Sequence, residues 1–136
     1  MKARKIDHVG IVIADLEKAK WVFGELLGME FDHEEVMDAW NVKAAFFRCG
    51  ESLIELLQPI GPGIDQDFLD RTGGGLHHIC YEVDSIDQAY QELSQHMRIT
   101  SDGPLPGNGG SRIFFLEPED IFHIETEFME PKRESD

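Results

Sequence analysis

The sequence has few cysteines, few basic side chains and no long apolar run. Only two of its 136 residues are cysteines, Cys49 and Cys80, and we expect both to be reduced, buried thiols. Lys and Arg number 12 against 27 Asp and Glu, which gives a formal net charge of −15. That charge repels phosphate groups, so neither nucleic acid nor a membrane surface is an expected partner.

Membrane insertion and secretion are also not expected. No apolar run approaches the roughly 18 residues that a membrane-spanning helix needs. The first residues are basic but lack the apolar stretch of a secretory signal. We therefore expect a cytoplasmic protein, and a length of 136 residues fits one domain with a core that needs no disulfide.

The chain repeats one pattern of elements twice. Residues 5–59 predict a strand, a helix and three further strands, and residues 76–130 predict the same order again. A linker rich in Gly and Asp, residues 60–75, joins these two modules and predicts only a single helical turn. Equivalent positions such as Leu16 and Ile86 lie 70 residues apart. The whole chain is therefore predicted to be one domain of two βαβββ modules that bury their apolar faces together.

Each module carries a histidine on its first strand and a glutamate on its last. His8 and Glu55 are 47 residues apart, and so are His78 and Glu125 in a last strand predicted over residues 121–128. Strand alternation places each glutamate among apolar neighbours, where a carboxylate needs a partner or a metal ion. Either residue type alone is ordinary in a strand, but the same pair at the same spacing in both modules favours a metal site. Two imidazoles and two carboxylates suit a divalent Zn, Co, Ni, Mn or Fe(II) ion.

Several segments resemble the vicinal oxygen chelate superfamily, which includes glyoxalases, bleomycin-resistance proteins and dioxygenases. These segments are most similar to the methylmalonyl-CoA epimerase branch of the superfamily. Their sequences are KIDHVGIVIADLEKA, LIELLQP, GGGLHHICYEVDSI, GPLPGNGGSRIFFLEP and IETEF. The resemblance implies an α+β fold in which a curved, cup-like, eight-stranded mixed sheet has its helices outside. It also implies one metal ion bound by His8, Glu55, His78 and Glu125, and a homodimer.

Three features depart from the epimerase pattern. The turn EPEDIFHIE is about two residues shorter than the epimerase loop, which usually contains Lys and Gly-Gly. His123 replaces an apolar residue two positions before the expected last ligand. Asp38 falls where the epimerases carry a second acid/base carboxylate. These departures concern the substrate pocket and leave the expected metal ligands in place.

The resemblance implies an isomerase that removes a proton from the carbon next to a carbonyl group. A metal ion would stabilise the developing enolate as a Lewis acid, and two acid/base groups would move the proton. Glu125 or Glu55 is a candidate base, and Asp38 and His123 are candidates for the second group. The expected substrate is an acyl-CoA or a small 2-oxo or thioester compound, and among these the resemblance implies methylmalonyl-CoA.

Two other functions stay open. One is a lyase of the glyoxalase I type, or a related isomerase of thiol adducts, with the same four ligands. The other is a non-catalytic binding or resistance protein, which the presence of all four ligands disfavours. A dioxygenase, which binds Fe(II) through two histidines and one glutamate, is disfavoured by Glu55.

Overall fold

The computed structural model describes residues 1–133, and the chain divides into two compact units. One unit is His8–His77, and the other combines Met1–Asp7 with the residues from His78 onward. The helices and strands are β1 (Lys5–Val12), α1 (Leu16–Lys20, continued by a π-helical segment, Trp21–Leu26), β2 (Glu30–Met37), β3 (Val42–Cys49), β4 (Ser52–Pro59), α2 (Ile64–Thr72), β5 (Gly75–Glu82), α3 (Ile86–Leu93), β6 (Leu105–Pro106), β7 (Arg112–Phe115) and β8 (Thr126–Glu130).

Both units pair their strands in the same way. In the first unit the strand order is β2-β3-β4-β1, with β1 parallel to β4 and the other neighbours antiparallel. In the second unit the order is β6-β7-β8-β5, and β5 is parallel to β8. Each unit is therefore a four-stranded mixed sheet with a helix between its first two strands. The predicted α+β fold of two βαβββ modules is confirmed.

Side-chain caps start the helix of each module. The Asp15 side chain accepts a hydrogen bond from the Lys18 N–H at 3.1 Å, and the Ser85 hydroxyl accepts one from the Gln88 N–H at 3.2 Å. Such caps satisfy N–H groups that the first helical turn leaves without a partner. Both helices therefore begin where the sequence predicts, immediately after the first strand of their module.

Apolar residues from the helix and the sheet form the core of each unit. In the first unit they form two clusters, Val12, Val42, Ala44, Phe46 and Leu57, and Leu16, Ala19, Ala45, Phe47 and Leu56. In the second unit they form one cluster, Val83, Ile86, Ala89, Phe114, Leu116 and Phe128. Burial of these side chains holds the helix of each module against its strands.

The linker is more regular than its composition predicts. In place of a single helical turn it forms α2, a nine-residue helix over Ile64–Thr72. Phe68 and Leu69 of this helix pack against the cluster that contains Val12. Burial of these two side chains stabilises a helix in a segment whose flanking glycines alone predict a loop.

The last strand begins later than predicted. It spans Thr126–Glu130 and not residues 121–128. A short 3₁₀ turn precedes it, and Phe122 and His123 then take the left-handed conformation, with φ of 60° and 63°. The His123 N–H donates to the Pro118 carbonyl at 2.7 Å, which closes the turn. Two consecutive left-handed residues cannot be part of an extended strand, so β8 starts only after them.

In residues 1–133, every helix is too short or too polar to cross a bilayer.

Candidate metal centre

In the first module, strand pairing brings a histidine and a glutamate together. Parallel pairing of β1 with β4 sets Gly10 opposite Glu55, and His8 lies two residues before Gly10 on the same face of the strand. The His8 Nε2 lies 3.6 Å from the Glu55 Oε1, and the two side chains are only 12% and 5% exposed. The predicted pairing of these two residues is therefore present in the structure.

The second module contains an equivalent pair, but with a different glutamate. Parallel pairing of β5 with β8 sets Cys80 opposite Glu127. The His78 Nε2 lies 3.4 Å from the Glu127 Oε1, and these side chains are 8% and 9% exposed. Glu125 is exposed and lies before β8 begins. The structure therefore places Glu127 beside His78, where the sequence analysis expected Glu125.

A second contact supports the correspondence between Glu55 and Glu127. Three residues after Glu55, the Gln58 side chain accepts a hydrogen bond from the first helical N–H of α1, that of Leu16, at 2.7 Å. Three residues after Glu127, the Glu130 carboxylate accepts the equivalent bond from Ile86 of α3 at 2.9 Å. The last strands of the two modules therefore correspond at a spacing of 72 residues, whereas Leu16 and Ile86 correspond at 70.

The connection between β7 and β8 explains the two-residue difference. In the first module the turn from β3 to β4 is residues 50–51, whereas the corresponding connection in the second module is residues 116–125. The spacing of 70 residues between equivalent positions in the first strands and helices therefore does not apply to the last strands, which follow this longer connection. Pro118 and its acidic neighbours were a sign of such a connection, and Glu127 has the same strand parity as Glu125. Strand alternation alone therefore does not distinguish the two glutamates, and only the strand register selects between them.

Two further candidates lie in exposed turns. Asp38 begins the 3₁₀ turn before β3, and this turn ends at Asn41 in the left-handed conformation, with φ of 52°. His123 lies in the left-handed turn before β8 and is also exposed. Neither position gives the side chain a buried environment, so the structure assigns no acid/base role to them by itself.

The geometry of both His–Glu pairs fits ligands of a metal ion. Separations of 3.4 Å and 3.6 Å are longer than the about 2.7–3.2 Å of a direct N–H···O hydrogen bond. Two ligands that each lie about 2.0–2.2 Å from one ion are roughly 3.0–3.5 Å apart at octahedral to tetrahedral angles. Imidazole nitrogen and carboxylate oxygen are donors that first-row divalent ions accept. The residues present therefore fit the divalent ion that the sequence predicts.

Comparison with known proteins gives a family match over most of the chain. Residues 7–115 match the model of the Glyoxalase/Bleomycin resistance protein/Dioxygenase superfamily. The chain is 35% identical over 121 residues to an ethylmalonyl-CoA/methylmalonyl-CoA epimerase of Cereibacter sphaeroides, covering 86% of this chain and 90% of that protein. It is 32% identical over 130 residues to an uncharacterized protein of Bacillus subtilis, YqjC, covering 94% of this chain and 93% of that protein.

A solved structure is similar over nearly the same length. It is a variant of the methylmalonyl-CoA epimerase of Streptomyces coelicolor in complex with 2-nitronate-propionyl-CoA. The TM-score is 0.90 at 29% sequence identity, and the match covers 96% of each chain. The similarity in fold therefore includes both modules and the linker.

Proposed function

The chain belongs to the glyoxalase/bleomycin resistance protein/dioxygenase superfamily, and on this basis we propose that it is a metal-dependent isomerase. The reaction is removal of a proton from a carbon next to a carbonyl group and its return to the opposite face. The observation that carries the proposal is the duplicated pair, His8 with Glu55 and His78 with Glu127, in matching strand positions.

Methylmalonyl-CoA is the proposed substrate. The Cereibacter sphaeroides relative is named for ethylmalonyl-CoA and methylmalonyl-CoA, and the Streptomyces coelicolor structure contains an acyl-CoA derivative. In a malonyl thioester, the carbon that loses its proton lies between the thioester carbonyl and a carboxylate, whose negative charge opposes deprotonation unless a bound cation offsets it. Two oxygens of such a substrate can also bind one ion, which suits a protein that supplies four ligands and leaves positions open.

The proposed metal ligands are His8, Glu55, His78 and Glu127. Glu127 replaces Glu125 in the set predicted from the sequence, because it is buried and adjacent to His78. A divalent ion bound there supplies Lewis acidity that stabilises negative charge on the substrate oxygens as the proton leaves. Zn, Co, Ni, Mn and Fe(II) all accept this donor set, so loading experiments should compare them.

Proton transfer needs a group on each side of the substrate carbon. Glu55 or Glu127 is the proposed base, with Glu127 in place of Glu125 because it is the glutamate beside His78. Asp38 and His123, on turns that precede β3 and β8, are the candidates for the second group. An epimerase requires two such groups, since removing and returning a proton on one face regenerates the starting isomer.

Hydrogen exchange tests the reaction and the substrate together. The metal-loaded protein is incubated with methylmalonyl-CoA in D₂O, and deuterium at the α-carbon is followed by mass spectrometry. We expect exchange by the wild type and by Glu125→Gln, and loss of exchange in His78→Ala and Glu127→Gln. The two glutamate variants form a matched pair, because they remove the same charge two residues apart.

Absence of exchange by a fully metal-loaded protein would reject methylmalonyl-CoA as the substrate. The next compound to assay is then the hemithioacetal of methylglyoxal and glutathione, whose conversion would indicate a glyoxalase-type reaction. Tight binding of a thioester without any turnover would indicate a binding protein of the same superfamily.

We also propose that the protein is a cytoplasmic homodimer. The location follows from the proposed substrate, because CoA thioesters are intracellular metabolites. Sedimentation velocity at micromolar concentration tests the dimer, and a single species with the monomer mass of 15.5 kDa would contradict it.

A further inference from the structure

Helix α2, in the linker, holds the beginning of β5 through a small buried cluster. The cluster consists of Asp65 and Phe68 from the helix and His77 from the strand, and we call it the linker clamp. None of these residues belongs to the proposed metal site. His77 is, however, the residue immediately before the proposed ligand His78.

Asp65 supplies a buried carboxyl group to the linker clamp. It lies in the first turn of α2 and is only 6% exposed, and its Oδ1 lies 3.7 Å from the His77 Nε2. The N-terminal turn of a helix stabilises a carboxylate, because the partial charge of the N–H groups there is positive. A buried carboxylate in turn attracts the imidazole that faces it. Asp65 therefore lies against one edge of the His77 ring.

Phe68 packs against the same imidazole ring. The rings of Phe68 and His77 meet edge to face, with centroids 4.9 Å apart and an interplanar angle of 87°. The guanidinium carbon of Arg71 lies 5.7 Å from the centroid of the Phe68 ring. The imidazole is thus in contact with two side chains of one helix, which restricts its rotation.

The chain between α2 and β5 is also held in place. The Gly73 N–H donates to the Leu69 carbonyl at 2.8 Å, and the Thr72 hydroxyl donates to the Phe68 carbonyl at 2.7 Å. Gly74 has a φ of 97°, and a Cβ there would lie 2.7 Å from the Val12 carbonyl oxygen. Only glycine fits such a position, so the linker passes close to the end of β1. The clamp therefore acts on a short segment with little freedom.

Strand geometry connects the linker clamp to the proposed metal site. Successive side chains of a strand point to opposite faces, so the direction of the His77 side chain sets that of His78. We propose that Asp65, Phe68 and His77 are positioning residues that fix the orientation of the His78 imidazole before a metal ion binds. This inference rests on the proposed function, because it assumes that His78 is a metal ligand.

Cobalt binding tests the linker clamp without an activity assay. The metal-free protein is titrated with Co²⁺, and the visible absorption bands of the bound ion report both affinity and ligand geometry. We expect Asp65→Asn and His77→Phe to weaken Co²⁺ binding about tenfold and to change the band shape, as loss of groups that orient metal ligands does. His77→Phe keeps an aromatic ring against Phe68 and removes the imidazole nitrogens.

Gln66→Ala is the matched control on the same helix. Gln66 donates a hydrogen bond to Asp70 at 2.9 Å and is not part of the clamp, so this variant changes α2 without changing His77. We expect it to bind Co²⁺ with the wild-type affinity and spectrum. Thermal unfolding of each metal-free variant identifies the temperature range in which all of them are folded, and titrations are done within that range.

The outcomes separate the linker clamp from the proposed function. Wild-type Co²⁺ affinity and spectrum in both Asp65→Asn and His77→Phe would overturn the clamp and leave the metal site intact. The same result in only one variant would overturn the pairing of Asp65 with His77. A wild type that binds Co²⁺ no better than His78→Ala would overturn the metal site, and the clamp as a positioning device with it.

Discussion

At the scale of single residues, Glu34 is bound by two lysines. Its carboxylate accepts hydrogen bonds from Lys20 at 2.7 Å and from Lys43 at 2.9 Å, and its side chain is 22% exposed. These bonds, with that of Lys20 the strongest, hold the pKa of Glu34 below its ordinary value, although partial burial opposes the shift. The negative charge of Glu34 therefore contributes to the stability of the first module.

This pairing predicts a stability difference that depends on pH. A carboxyl whose pKa is lowered by folding stabilises the protein fully above its unfolded value of about 4.5, and the contribution disappears as pH falls through the folded pKa. Glu34→Gln should therefore be less stable than the wild type by about 0.5–1 kcal/mol at pH 7, and the difference should decrease below pH 4.5.

Urea unfolding between pH 3 and pH 7 measures this difference. Glu30→Gln, which removes a carboxylate at an exposed position on the same strand, is the control. If Glu34→Gln is destabilised as much at pH 3 as at pH 7, the two ion pairs are not the cause of its lower free energy of unfolding.

At the same scale, Glu125 and Glu127 are alternative candidates for the metal ligand beside His78. Glu127 is buried beside His78, whereas Glu125 is exposed before the strand begins. We predict that Glu127→Ala weakens Zn²⁺ binding by more than the roughly 10–100-fold that loss of an outer-shell partner costs. Isothermal titration calorimetry checks this, with Glu125→Ala expected to bind like the wild type. Equal loss in both variants would reject the strand register as the basis of the assignment.

At the scale of elements, the turn before β8 has an unusual conformation. Phe122 and His123 both have positive φ, and Phe122 is 87% exposed. A left-handed conformation costs a residue with a side chain about 1–2 kcal/mol relative to the right-handed one. The hydrogen bonds of the turn maintain it, among them those from His123 to Pro118 and from Ile124 to Ile121. The turn sets where β8 begins and therefore which glutamate faces His78.

Glycine at position 122 should relieve part of this strain. We predict that Phe122→Gly raises the free energy of unfolding by about 0.5–1 kcal/mol, because the relief of about 1–2 kcal/mol exceeds the added chain entropy of about 0.5–1 kcal/mol. Chemical denaturation measures the change. Leu26→Gly, at an exposed helical position, should instead destabilise the protein, and destabilisation of similar size by Phe122→Gly would show that the turn is not strained.

At the scale of the whole molecule, the same arrangement occurs twice. Each unit places a histidine on its first strand and a glutamate on its last, and each last strand also caps the helix of its own module. Repetition of these two contacts shows that the two modules pack in the same way. The proposed metal ion would bind only the folded chain, so the free energy of unfolding would depend on metal.

Metal removal should therefore lower thermal stability. A ligand that binds only the folded protein stabilises it by about 2.7 kcal/mol when its free concentration is 100 times its Kd, which corresponds to roughly 10 °C in Tm. We predict that Zn²⁺ raises the Tm of the EDTA-treated protein by about this amount in differential scanning fluorimetry. His78→Ala is the control and should show no such increase. An equal increase in that variant would mean that Zn²⁺ stabilises the protein through other residues.

Local patterns in the sequence determined most of the fold and half of the candidate site. Asp15 and Gly28 marked the ends of the first helical segment, and alternation in LHHICYEV predicted the β5 strand, because helix and strand periods are local properties. The pair of His8 with Glu55, predicted from strand alternation and the repeated spacing of 47 residues, is present in the structure, where only a two-residue turn separates β3 from β4. A short turn keeps the spacing of the strands that it connects.

Only the tertiary structure decided the second half of the site and the length of the linker helix. Glu127 became the partner of His78 because Cys80 pairs with Glu127 across two strands that lie far apart in the sequence. The connection of residues 116–125, with its two left-handed residues, sets which residue of β8 lies opposite Cys80. The alternation of residues within a strand does not predict that register. Helix α2 likewise depends on the burial of Phe68 and Leu69 against residues distant in sequence. Sequence periodicity thus specified the repeated elements, and long-range pairing and packing specified which residues meet.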